Sequence, residues 1–125
     1  VLVVTVPNDF SELQEKFLLE DKIPDRFWVV LPDHLSYFTA ESLKNAAEAT
    51  GWDCKSVQGD FPIDLYLAHP GSNYVSDRGN GPAAHRARLL FESLIGEKGD
   101  DKANRLYEAL ADVGLGRNIT AFLTP

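Results

Sequence analysis

The stretch VLVVTVPNDFSELQ, residues 1–14, passes from an unbroken apolar run to a helix start with only Pro7-Asn8-Asp9-Phe10 between them. A β-branched run without polar alternation predicts a strand buried on both faces, and Pro7-Asn8 stops it. Ser11 and Gln14 have capping-box spacing, with Asp9 the other available cap. Phe10, Leu13, Phe17 and Leu18 then fall on one helical face. A strand of this kind needs neighbouring strands and covering helices, so the rest of the chain is read for an α/β sheet.

With 125 residues, 44% apolar and 25% charged, the chain suits one domain spanning 1–125, large enough to bury a core without staples. Its formal net charge of −7 argues against nucleic acid and against an anionic membrane surface, because phosphate repulsion is not offset. The lone Cys54 excludes an internal disulfide and a multi-thiolate zinc site, suits a reducing cytoplasm, and reads as a small core residue. No metal site is expected, since no cluster has ligand spacing. No apolar run approaches the ~20 residues that span a bilayer. The opening run has neither the basic segment nor the cleavage pattern of a signal peptide. The chain begins inside a strand rather than at a methionine, so a piece of a longer protein is expected.

Working outward, FWVVLP (27–32) reads as extended. Thr39 caps a helix in which Phe38 and Leu43 make a hydrophobic staple and Glu41 favours the positive end. Leu43, Ala46, Ala47 and Thr50 form its stripe, and Gly51 closes it. WDCKSVQ (52–58) is a strand that can continue through a bend or bulge at Gly59 and Pro62 into IDLYLA (63–68). Residues 70–82, rich in Gly, Asn, Ser and Pro, form a loop long enough to suggest function. Pro82 opens a third helix with an apolar face of Ala83, Ala87, Leu90, Phe91 and Leu94. After a polar turn at 96–101, a helix over about 101–113 buries Ala103, Leu106, Tyr107 and Leu110. NITAFL (118–123) is the last strand. The first strand, a crossover helix and the strand at 52–58 have βαβ lengths, with right-handed connection.

The strings VPNDFSELQ and WVVLPDHLSYFTAESLKNAAEATGWD, each in its place beside a strand, resemble the C-terminal half of class I S-adenosylmethionine-dependent methyltransferases. The likeness is strongest over 1–61, and Gly-Arg-Asn-Ile-Thr-Ala-Phe at the close adds to it. The resemblance implies a partial Rossmann-like sheet made of the family's last three strands, the final one antiparallel in the middle. Residues 1–6, 118–123 and 52–58 would then be contiguous, with the outer edge of 1–6 open to a second copy. It also implies S-adenosylmethionine as the intact enzyme's cofactor and a small-molecule acceptor, with a sugar or nucleotide-sugar as one class. The family's Gly-rich turn and acidic strand end have no counterpart here. Gly79-Asn80-Gly81 lacks a leading strand, so no cofactor-binding residue is assigned and the chain alone should be inactive.

On this reading His34, between an extended segment and a helix start, sits at the rim where α/β sheets bind ligands and can remove a proton from the acceptor. It equally serves as a loop residue shaping the approach to the helix. Tyr37 can orient a polar acceptor or simply pack its ring. Asn8, with Asp9, is a rim residue or a helix cap. Asn73, Tyr74, Arg78, His85 and Arg88 can grip an acceptor's phosphate or carboxylate, or belong to a solvated polar face. Asp60 and Asp64 can pair those arginines. A second reading, from another class, is a non-catalytic protein-interaction module in which His34 is inert.

Overall fold

The computed structural model describes residues 1–125. Three strands and four α-helices follow in the order β1 (Leu2–Pro7), α1 (Glu12–Leu19), α2 (Ala40–Ala49), β2 (Asp53–Gly59), α3 (Gly81–Gly96), α4 (Asp100–Asp112) and β3 (Asn118–Thr124). Short 3-10 turns occupy Ile63–Ala68 and Arg78–Asn80. The sheet order is β1-β3-β2, with β3 antiparallel to both neighbours. The last strand therefore lies between the other two, as anticipated for 118–123, and β1 and β2 run parallel on either side of it.

The helix starts follow local chemistry. The Ser11 hydroxyl accepts from the Gln14 backbone N–H while the Gln14 side chain accepts from Ser11 N. Thr39 and Ser42 reciprocate in the same way at α2, satisfying donors that a helix end otherwise leaves open. α2 then lays Leu43 and Ala47 on Ile119, Ala121 and Leu123, with Val4, Val6, Cys54 and Val57 packed around them. Ala46 and Thr50, expected in that stripe, face solvent, because the contact is narrow.

A second cluster holds Phe17, Ile23, Trp28 and Leu67. It corrects two expectations. FWVVLP is not a strand: Phe27 and Trp28 turn inward to this cluster while Val29, Val30 and Leu31 stay exposed. IDLYLA does not prolong β2 but coils into a 3-10 turn, since Leu67 and Asp64 are both drawn inside. The irregularity in β2 falls between Cys54 and Ser56, not at Gly59. Phe10, assigned to the α1 face, precedes the helix with φ +59°. α3 buries only Ala84; of its expected apolar face, Phe91 packs on Phe61 at 4.9 Å between ring centroids, while Leu90, 63% exposed, and Leu94 stay outside.

The strand at the N-terminus departs most from expectation. It is not buried on both faces: Val1 is 92% and Val3 53% exposed, and no residue of β1 is fully buried. β2, at the opposite edge, is flanked by α4, where Ser56 Oγ donates to Glu108 at 2.8 Å and Gln58 Nε2 donates to Asn104 at 3.3 Å. β1 has no such cover and no charged side chain along its length, the condition in which an edge recruits another strand. The chain is expected to gain mass with concentration in light-scattering-detected chromatography, and Val3→Lys to suppress the gain. A constant monomer mass for the unsubstituted chain would exclude pairing through this edge.

Candidate functional site at the carboxyl rim of the sheet

The carboxyl ends of β1 and β2 meet the start of β3 at one rim, and a polar network is built there. Asn8 and Asp9 leave β1, Asp60 leaves β2, and Arg117 and Asn118 lead into β3. Asn8, only 2% exposed, donates from Nδ2 to Gly114 O at 3.1 Å and Gly116 O at 3.0 Å. The Asp60 carboxylate accepts from Arg117 N at 2.7 Å, Asn118 N at 2.8 Å and Asn118 Nδ2 at 2.7 Å. It thereby fixes where β3 begins.

Arg117 carries the one cation inside this network. Its Nη1 donates to Asp9 Oδ1 at 2.9 Å, and its Cζ stands 5.9 Å from the Phe27 ring centroid. Burial pulls the guanidinium pKa down, but the hydrogen bond to Asp9 and the charges of Asp64 and Asp9 outweigh it, so the net shift is upward. Asp64, also buried, accepts from Gln14 Nε2 at 2.9 Å and from the Tyr74 hydroxyl. Burial first, then the Asp64 charge and hydrogen bond, push the Tyr74 phenol well above its usual range. Every acid here has a donor facing it, as buried charge requires.

The raised Tyr74 pKa sets an alkaline prediction. A phenol harder to ionise folded than unfolded contributes stability that is complete below the unfolded value, about 10, and is lost as pH rises above it. Stability measured by urea unfolding should fall above pH ~10, with a shallower slope in Tyr74→Phe. An equal slope in the variant would remove Tyr74 as the cause.

The residues singled out from sequence do not converge. Asn73 is buried and fully committed: Nδ2 donates to Lys22 O and Leu67 O, and Oδ1 accepts from Val75 N and Ser76 N. With Tyr74 on Asp64, it pins the long loop to the second core cluster and leaves no group for a ligand. Arg78 and His85 are exposed, and Arg88 lies 3.8 Å from Glu92 on its own helix. The three cations form no grip on a phosphate. Asp60 and Asp64 pair none of them, because both carboxylates point into the rim network. Tyr37 Oη accepts from Val30 N at 3.2 Å and donates to His34 O at 3.1 Å, so its hydroxyl holds the loop. The exposed His34 ring stands 6.3 Å from the Tyr37 ring between centroids. Arg117, the centre of the network, is marked in the sequence only by its place between Gly116 and Asn118 at a strand start.

Beside the network opens a cleft of about 660 Å³. The starts of α1 and α2 and the end of α4 surround it, with Asn8, Phe10, Thr39, Lys44, Val57 and Val113 among its lining. Its size suits a small molecule, and it holds a place where α/β sheets commonly bind ligands. No protein-family model, curated protein or solved structure matches the chain.

Proposed function

We propose that this chain is the acceptor-side portion of a class I S-adenosylmethionine-dependent methyltransferase acting on a small molecule, a sugar or nucleotide-sugar being the class the resemblance suggests. The observation that supports the reading is the sheet order, a reversed final strand between two parallel ones. The carboxyl-rim cleft is then the acceptor site, and His34, on the loop that reaches Phe10 through Tyr37, is the residue assigned to proton removal.

The residues present do not fit the cofactor. Gly79-Asn80-Gly81 enters α3 from a 3-10 turn rather than from a strand, so its backbone lacks the strand–turn–helix geometry that receives a nucleotide. Calorimetric titration of the 125-residue chain with S-adenosylmethionine is expected to show no binding; micromolar affinity would refute the strand assignment. In a complete enzyme containing this chain, His34→Ala should lower turnover about a hundredfold, and unchanged turnover would take the base role from His34.

The second reading, a protein-interaction module, draws on the open β1 edge and the exposed apolar side of α3. It predicts no methyl transfer by any longer form of the protein.

A further inference from the structure

The side that α3 turns toward the chain is fixed by Ala84, which is buried, and by Phe91, which packs on Phe61. Beside it runs a second apolar stripe. Ala83, Ala87, Leu90 and Leu94 follow one another at intervals of four, three and four residues, the spacing that aligns side chains along one helix face. Ala87 is half-buried and Ala83 exposed, while Leu90 is 63% and Leu94 46% exposed. Most of the stripe therefore lies open.

The stripe has a direction in two properties. Its small side chains stand toward the start of α3 and its large ones toward the end. Charge changes along the same axis: Arg78, Arg86 and Arg88 fall in residues 78–91 with no acid among them, whereas Glu92, Glu97, Asp100 and Asp101 follow, with Lys98 the one cation in residues 92–101. Arg88 and Glu92 answer each other at 3.8 Å. Arg86 near the start and Glu97 at the end are exposed and left to answer something else. A second copy laid parallel on this stripe would set alanine on alanine, leucine on leucine and like charge on like. Turned antiparallel about a two-fold axis, it sets Ala83 of one copy against Leu94 of the other, and Ala87 against Leu90. Small then faces large, each basic end lies over an acidic one, and one stripe serves both copies.

We propose that two copies of this chain pair transiently through α3, antiparallel, across Ala83, Ala87, Leu90 and Leu94. The pairing rests on neither functional reading and uses a surface separate from the β1 edge. A stripe of short side chains makes a smaller contact than a stable interface requires, so covalent trapping reads it where mass does not.

One chain carrying Ala83→Cys and another carrying Leu94→Cys are mixed in a glutathione redox buffer. Both also carry Cys54→Ala, which removes the native thiol, and Val3→Lys, which silences the edge; Cys54→Ser replaces Cys54→Ala should the latter fail to fold. Intact-mass measurement separates the disulfide products. Random collision yields as much heterodisulfide as the two homodisulfides together, and the antiparallel pair should give a several-fold excess of it. Leu90→Glu in both chains, at a position open to solvent, should return the mixture to random. The proposal is overturned by a random mixture before that substitution, by an excess of homodisulfides, which marks parallel pairing, or by absence of disulfide dimers. An excess of heterodisulfide that survives Leu90→Glu overturns it as well.

Discussion

Arg117→Met is expected to destabilise the chain by about 3 kcal/mol, read from the urea midpoint at constant slope. The value comes from what the substitution leaves behind. Asp9 is 3% exposed at its side chain and Arg117 25%, so the partner left alone is the more deeply buried of the two. Removing one member of a buried pair typically costs about 3–5 kcal/mol, because a charge stays desolvated without compensation. The partial exposure of Arg117 admits some water and places the effect at the lower end. Asp64 also loses a nearby positive charge, which adds in the same direction. The double substitution Asp9→Asn with Arg117→Met should recover much of the loss, since it removes the stranded charge. A single-variant loss below about 1 kcal/mol would mean that the pair behaves as a surface ion pair.

That network explains why the site was less legible than the fold. Helix starts are local events: Ser11 with Gln14 and Thr39 with its following turn could be read from neighbours in sequence. Asp60 was visible only as an acid beside Phe61-Pro62, and arginines close to it in the chain were its apparent partners. Its true donors are Arg117 N and Asn118 at the far end of the sequence, joined to it by sheet topology. Asn73 and Tyr74 looked available because turn-rich loops usually face water. Both are instead the inward anchors of their loop.

The misread elements have a shared cause. FWVVLP carries β-branched residues, and strand preference is largely a matter of packing on a pleated surface. No strand stands beside it, so Trp28 goes to the second cluster and the valines remain outside. The apolar run of β1 predicts burial on both faces, and that of α3 an apolar face, for the same reason: composition registers a need for cover without supplying the partner. Their exposure is consistent with the proposed sheet margin and equally with the interaction module. The outcome of edge pairing in solution therefore carries weight for both.

Gly59→Ala should cost at least about 3 kcal/mol, beyond the range usual for overpacking. A Cβ at Gly59 would stand 2.4 Å from Leu115 O and 3.1 Å from Ala111 N, atoms of the backbone that turns from α4 into β3. Relief would require moving that turn. Gly116, in the same turn, has φ +108°, and a Cβ there would lie 2.8 Å from Gly59 Cα. Two chain crossings thus meet with no side chain between them. Asn8 is bonded to the carbonyls of Gly114 and Gly116, so a shift of the turn also strips a buried amide of its acceptors. The same shift would displace Arg117 and the start of β3, which Asp60 holds from the other side. The rim network and the strand order consequently depend on one close approach of backbone. Gly51, where a Cβ meets nothing within 4 Å, supplies the control: alanine there, at φ +86°, should cost only the roughly 1–2 kcal/mol of left-handed backbone. A loss at Gly59, whose φ is not positive, no larger than that at Gly51 would show that the turn yields to the added methyl group and that the crossing does not hold the rim together.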